Sequence, residues 1–288
     1  MSHASAVYYV PHPSHWPIVG SVGFFLTMFG ASSMLNGHAY GSPMFYTGIA
    51  VIIFMLFGWF GLVIRESQQG MYNMQVDRSF RWGMAWFIFS EVCFFGAFFG
   101  ALFYARQYAI PWLGGESNSF FTNLLLWNGY EAEWPTNGPA NVGGDFEPMA
   151  PLGLPALNTA ILLSSGVTVT IAHHALKAGN RILLNIGLFL TFALGSLFVG
   201  LQAYEYIHAY TETGLTLGSG IYGSTFFMLT GFHGMHVTLG AIMLFVIFLR
   251  SVAGHFTPER HFAFEAVAWY WHFVDVVWLG LYIFVYWL

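Results

Sequence analysis

Hydrophobic residues are arranged along the chain in seven long runs separated by shorter polar stretches. The runs lie at 16–35, 44–64, 82–105, 155–176, 182–207, 220–249 and 263–287. About twenty apolar residues in a helix cross the hydrocarbon core of a bilayer, and each run reaches or exceeds that length. The runs are too long and too uniformly apolar for the alternating strands of a membrane barrel. The pattern therefore predicts an all-α polytopic membrane protein with seven transmembrane helices.

Composition and charge narrow the class further. The chain is 57% hydrophobic and 7% charged, whereas soluble domains carry about 25% charged residues. The net charge of −5 comes without a basic cluster, so no nucleic-acid partner is expected. The single Cys93 excludes an intrachain disulfide. Because Cys93 lies in an apolar run, we expect it to be a small buried core residue.

The basic residues predict the orientation. Seven of the eight Lys and Arg residues fall in connections on one side of the predicted spans, and Arg106 alone falls on the other. The seven are Arg65, Arg78, Arg81, Lys177, Arg181, Arg250 and Arg260. Since positive loops stay in the cytoplasm, the N-terminus is predicted to be cytoplasmic and the C-terminus outside.

We expect four segments in the chain. They are a cytoplasmic N-terminal segment at 1–15, helices one and two within 16–64, a cytoplasmic loop at 65–81, and a five-helix bundle at 82–288. The bundle includes a long outer loop at about 107–154, which is acidic and rich in Gly, Pro and Asn. An ordered cap or a partner-docking loop fits this composition better than a linker.

Acidic residues at membrane depth each need an explanation, because charge is costly in lipid. Glu91 lies near the middle of helix three, where desolvation favours a protonated or hydrogen-bonded carboxyl. A functional interface or proton-related role and a structural hydrogen bond between helices both remain open. Glu205 and His208, at the end of helix five, are expected to be solvated.

Helix seven carries Glu265, His272 and Asp275 at steps of seven and three residues. These steps place all three close to one stripe of the helix, which we expect to face protein. An interhelical hydrogen-bond network is at least as good an interpretation as chemistry.

Two histidines in helix six, His233 and His236, are three residues apart and share a helical face. Such a pair could reach one metal ion but makes half a site at most. His173 and His174 lie in a different helix, and His255 and His261 lack the spacing of a metal box. The neighbouring Gly231 and Gly234 favour close helix packing instead. We therefore predict no metal here, and no phosphate loop, nucleophile elbow or dinucleotide motif is present.

Several longer stretches carry a family resemblance. They are "VIRES" (63–67), "SEVCFF" (90–95), "LNTAILLSSGVT" (157–168), "AHH" (172–174), "GSTFFMLTGFHGMHV" (223–237) and "HFAFEAVAWYWHFVDVVWLGLYIFVYWL" (261–288). Because these stretches occur in the order typical of the family, the chain resembles subunit III of haem–copper cytochrome c oxidases. The resemblance implies a lipid-filled cleft between helices one and two and helices three to seven. It also implies no haem or copper in this chain, because those centres belong to partner subunits I and II.

The function that the resemblance implies is that of an accessory subunit in the aerobic respiratory chain. The complex would take electrons from cytochrome c, reduce oxygen and pump protons. This chain would support sustained turnover, proton uptake in subunit I and an oxygen route through the cleft. The expected location is a bacterial inner (cytoplasmic) membrane.

The resemblance also suggests roles for single residues. Glu91 matches a membrane-embedded glutamate that reacts with hydrophobic carbodiimides. Arg65, Glu66 and Arg250 match positions that hold phospholipid head groups, and Trp59 matches an aromatic that lines lipid tails. Ordinary snorkelling is the alternative for the two arginines. His233, His236, Glu265, His272 and Asp275 are then expected to form a structural polar network.

The chain departs from the family pattern at two places, and other functional classes compete with this interpretation. The outer loop is longer than in compact members, and Tyr72 or Asn73 stands where some members hold a lipid-contacting His. A related quinol oxidase subunit lacks the first two helices, which this chain has, and a nitric oxide reductase subunit is shorter. The other classes are a free-standing metal-dependent membrane oxygenase that uses the histidines and a proton-linked carrier that uses Glu91.

Overall fold

The computed structural model describes residues 13–288, and these residues contain helices and no strands. The long helices are α1 (Trp16–Leu35), α2 (Gly41–Gln68), α3 (Met74–Tyr104), α6 (Leu154–Lys177), α7 (Arg181–Thr211), α8 (Gly220–Val252) and α9 (Phe262–Leu281). The short helices are α4 (Ile110–Leu113) and α5 (Phe120–Leu125). Within the described residues, seven helices are long and apolar enough to cross a membrane. The predicted all-α polytopic class is thereby confirmed. Most of the predicted N-terminal segment, residues 1–12, lies outside the described part.

The connection between α2 and α3 is shorter than the segment 65–81 that was predicted as a cytoplasmic loop, and the cytoplasmic position of this connection stays a prediction. It spans residues 69–73, because both helices extend beyond the apolar run. The Asn73 side-chain oxygen accepts hydrogen bonds from the backbone N–H groups of Gln75 and Val76, 3.0 Å each, as an N-cap does. Asp77 and Arg81 then pair at 2.8 Å on consecutive turns. Hydropathy identifies only the part of a helix that crosses the membrane. The first polar turns of α3 are stabilised by the Asn73 cap and the Asp77–Arg81 ion pair.

The opposite end of α3 also extends further than predicted. A π-helical turn at Ala105–Ala109 continues α3 into α4, which ends at Leu113 rather than near residue 106. Pro111 lies directly after the π-helical turn, and a proline inside a helix removes one backbone hydrogen bond and crowds the preceding turn. The loop that follows therefore covers residues 114–153 and contains α5.

The chain divides into two compact units, one ending at Trp82 and the other running from Gly83 to Leu288. In the first unit, α1 and α2 pack through small residues. A Cβ atom on Gly48 would lie 2.4 Å from the backbone nitrogen of Thr27, and one on Gly30 would lie 2.4 Å from that of Phe45. Helices in lipid approach this closely where side chains are absent, and dispersion contacts between the backbones then hold them together.

We expect Gly48→Ala to destabilise this helical hairpin by about 1–3 kcal/mol, since the added methyl group meets backbone atoms that cannot move aside. Gly61→Ala is the matched control in the same helix, because a Cβ at Gly61 meets nothing within 4 Å. The measurement is the midpoint of denaturant-induced unfolding of the protein in mild detergent. Equal midpoints for the two variants would show that α1 and α2 do not pack as described.

The second unit is organised around α9, whose aromatic side chains are inserted among α6, α7 and α8. Trp271 is fully buried and donates its indole N–H to the Ser165 hydroxyl of α6 at 2.9 Å. Its ring lies directly against Gly195 of α7 and Gly240 of α8. About two turns further along α9, Trp278 donates its indole N–H to the Thr159 hydroxyl, also at 2.9 Å. Each indole thus fills a core space and satisfies its single polar atom.

Candidate functional site

The most prominent polar contact in the second unit joins Glu91 of α3 to His236 of α8. The carboxylate Oε2 and the imidazole Nε2 are 3.0 Å apart, and both side chains are largely buried. The rings of Phe94 and Phe95 lie against the imidazole, with centroids 6.0 and 5.1 Å away. A pair of titratable groups in such apolar surroundings is stable only if each satisfies the other.

The other imidazole nitrogen determines how the protons are shared. Nδ1 of His236 lies 2.6 Å from the Phe232 carbonyl oxygen. A carbonyl only accepts, so Nδ1 carries a hydrogen. One further proton then lies between Nε2 and Glu91, either on the carboxyl group or on the ring. Both arrangements leave the pair without net charge, which is what a low-dielectric environment favours.

His233, three residues before His236, has different neighbours. Its ring is 1% exposed and stacks on Phe198 at 5.7 Å, with the edge of Trp278 at 5.1 Å. The two histidines therefore do not converge: His236 is directed at α3, while His233 packs among rings from α7 and α9. This is not the geometry in which two imidazoles share one metal ion.

A different trio could hold a metal ion. The ligand atoms of His173, His261 and Glu265 all lie within 4.8 Å of one another. Each imidazole Nε2 is 3.4 Å from the same Glu265 oxygen. Two imidazoles and a carboxylate are donors that Zn²⁺ accepts, and the same contacts also make an ion pair when one ring is protonated. Sequence reasoning missed the trio because His173 is distant along the chain, although the i, i+4 spacing of His261 and Glu265 was a usable signal.

The expectation of one protein-facing stripe on the last helix is only partly right. Glu265 and Asp275 are buried, but the His272 side chain is 46% exposed. His272 Nδ1 lies 3.4 Å from Asp275, and its Nε2 lies 3.2 Å from the Thr170 hydroxyl of α6. These residues thus form two separate polar contacts with α6, one from Glu265 to His173 and one from His272 to Thr170.

The prediction that Glu205 is solvated is wrong, because its exposed fraction is 0%. A segment of the 114–153 loop covers the ends of α7 and α8: the rings of Phe146 and Tyr222 stack at 5.3 Å, and the Glu147 N–H donates to the Thr213 carbonyl at 2.9 Å. His208, by contrast, is partly exposed and pairs with Glu212 at 3.1 Å. Part of the loop is therefore an ordered cap.

Cys93 also differs from its prediction, since it lies on the exposed face of α3. In a membrane helix the outward face is as apolar as the inward one, so an apolar run does not identify core positions. The prediction of a buried cysteine is wrong for that reason.

The residues singled out for lipid binding lie in both units. In the first, Trp59 and Arg65 are exposed, and Glu66 accepts a hydrogen bond from the Tyr72 hydroxyl at 2.7 Å. In the second, the Arg250 guanidinium is half-buried and lies 4.7 Å over the Phe256 ring. The Arg65 side chain is thus presented to the surroundings, whereas Arg250 is held by an aromatic face.

Comparison with known proteins finds relatives along the whole length of the chain. The family model described as Cytochrome c oxidase subunit III matches residues 6–288. The protein named Cytochrome c oxidase subunit 3 from Hippopotamus amphibius is 42% identical over 288 residues, all of this chain and 99% of that protein. The proteins of the same name from Equus caballus and Lemur catta are 41% and 40% identical, covering 99% and 94% of their lengths. The chain belongs to the cytochrome c oxidase subunit III family.

Proposed function

We propose that this chain serves its oxidase without a redox centre of its own, and that the haem and copper lie in partner subunits I and II. As a member of the family, it is an accessory subunit that works with other oxidase subunits. The observation that carries the proposal is that the rings of His233 and His236 have different neighbours and do not converge on one point. One ring is occupied by Glu91 and the other is enclosed by Phe198 and Trp278, so neither is positioned as a ligand to haem or copper.

The Glu91–His236 pair supports a structural contribution to turnover. It joins α3 to α8 through one shared proton in apolar surroundings, and so holds α3 in place during long operation. We propose that the chain in this way stabilises subunit I and supports proton uptake and oxygen access there. Cytochrome c is the proposed electron donor to the complex.

Phospholipid is the proposed non-protein partner of Trp59, Arg65, Glu66 and Arg250. Arginine forms forked, charge-assisted hydrogen bonds with phosphate, and an exposed indole packs against acyl chains. The exposure of Trp59 and Arg65 supports this proposal. The polar contacts of His233, His236, Glu265, His272 and Asp275 are proposed to be structural.

The proposed location is a bacterial inner membrane, with the N-terminus in the cytoplasm and the C-terminus outside. The distribution of Lys and Arg among the connections supports the orientation.

Purification through a tag on this chain tests the proposal directly. In mild detergent we expect haem and copper to co-purify with larger partner subunits, and to leave with those partners when the chain is stripped of them. The measurements are the visible spectrum and metal content before and after stripping. Stoichiometric iron that stays with the stripped chain, together with oxygen consumption, would instead support the oxygenase class. His261→Ala would then show whether the His173–His261–Glu265 trio holds that iron.

A further inference from the structure

The 114–153 loop carries a compact apolar surface, which we call the α5 patch: Phe120, Phe121, Leu124, Leu125 and Leu126. Their exposed fractions range from 44% to 73%. The only other large apolar side chains exposed in this loop are Val142 and Leu152. Contiguous exposed apolar side chains on an otherwise polar segment mark an interaction surface.

The position of α5 relative to the membrane span follows from its tether. The Asn123 amide donates to the Leu113 carbonyl at 3.3 Å, and also to the Trp127 and Tyr130 carbonyls at 3.2 and 3.1 Å. Leu113 is the last residue of the helix that crosses the membrane from Met74. The α5 patch is therefore held beside the end of a transmembrane span.

The distance from the hydrocarbon core is short. Arg106, the last charged residue within the span, precedes Leu113 by seven positions, which is about 10 Å of helix. The head-group layer on each side of a bilayer is itself about 5–8 Å thick. An element tied to Leu113 thus lies close to the outer edge of the head-group layer.

The side chains around the tether are of the type that favours this layer. Tyr104, Tyr108 and Trp112 are all exposed and follow one another up the helix, with ring centroids 5.9 and 5.7 Å apart. Tyr and Trp concentrate at membrane interfaces, where ring and polar tip are both satisfied. The α5 patch follows this row in the sequence and is tethered at Leu113, the residue after Trp112. No charged residue occurs between Glu116 and Glu131, so nothing in this stretch opposes insertion.

We propose that the α5 patch inserts into the interfacial layer of the lipid bilayer and anchors the 114–153 loop to the membrane surface. The partner is lipid rather than protein because the patch is aliphatic and phenylalanine-rich, lacks arginine, and is tied to the end of a span that is apolar enough to cross a membrane. Phe and Leu side chains of an interfacial segment are buried at the boundary between head groups and acyl chains. The anchor fixes the α5 end of the loop at the membrane, while the segment around Phe146 and Glu147 caps α7 and α8.

Spin labels on the intact complex test the proposal. In a Cys93→Ser background, needed because Cys93 is exposed, single cysteines at Leu125 and Leu124 report on the patch. Val142→Cys is the matched control, an exposed apolar residue of the same loop. The complex is reconstituted in phosphatidylcholine vesicles, and collision rates are measured with oxygen, which concentrates in the bilayer, and with a nickel chelate, which stays in water. Spin-labelled phospholipids calibrate depth.

We expect the oxygen-to-nickel ratio at Leu125 and Leu124 to be several-fold higher than at Val142 and to match labels near the top of the acyl chain. A ratio at both patch positions equal to that at Val142 would place the patch in water and overturn the proposal. Low collision rates with both reagents would show that a protein partner covers the patch, which also overturns it. The haem spectrum of each labelled complex verifies assembly.

Discussion

Trp271→Ala is expected to lower the free energy of unfolding by about 3–5 kcal/mol, the loss typical of truncating a fully buried aromatic side chain. Trp271 is fully buried and contacts α6, α7 and α8 at once. Without the indole, the grooves at Gly195 and Gly240 face a cavity that lipid and water cannot fill. The lost hydrogen bond to Ser165 adds about 0.6 kcal/mol, the average for such bonds between membrane helices.

Unfolding in mixed detergent of increasing denaturing strength measures this loss, and dissociation from the oxidase gives a second readout. A matched pair of variants tests the same contact from the other side. A Cβ on Gly195 would lie 2.5 Å from the Trp271 ring, whereas one on Gly200, in the same helix, meets nothing within 4 Å. Gly195→Ala should therefore destabilise and Gly200→Ala should not. If Trp271→Ala and Gly195→Ala were both as stable as Gly200→Ala, the Trp271 ring would not pack against Gly195.

His236→Phe is expected to destabilise the protein by about 1–3 kcal/mol, because it keeps a ring in place but leaves the Glu91 carboxyl without its hydrogen-bond partner. Adding Glu91→Leu should restore most of that stability, since replacing both partners with apolar groups removes the desolvation cost as well as the bond. The two substitutions are thus expected to be strongly non-additive, as for residues in contact.

A double-mutant cycle on the purified complex, with the same unfolding assay, gives the coupling between the two residues. Glu91→Gln is the conservative control, because its amide N–H can still donate to Nε2 of His236, and we expect a smaller loss from it than from His236→Phe. The haem spectrum should stay unchanged in every variant that assembles. Losses that simply add would contradict the pairing, and a changed haem spectrum would contradict the proposed absence of redox chemistry in this chain.

Much of the fold follows from the lengths of the apolar runs. Seven runs long enough to cross lipid became seven helices, because no other open structure satisfies the backbone there. The helix ends were predicted less well. The turns at Met74 and at Leu113 lie beyond the apolar runs, where capping by Asn73 and a π-helical turn decide how far a helix extends.

The sequence by itself determined that the chain spans a membrane seven times, that Glu91 needs a partner in apolar surroundings, and that the chain resembles subunit III. Only the tertiary structure decided that this partner is His236, that Glu205 is buried while Cys93 is exposed, and that His173 joins His261 and Glu265. The physical reason is the same in each case. In lipid both faces of a helix are apolar, so periodicity does not distinguish the packed face from the outer one, and partners distant along the chain meet only when the helices pack.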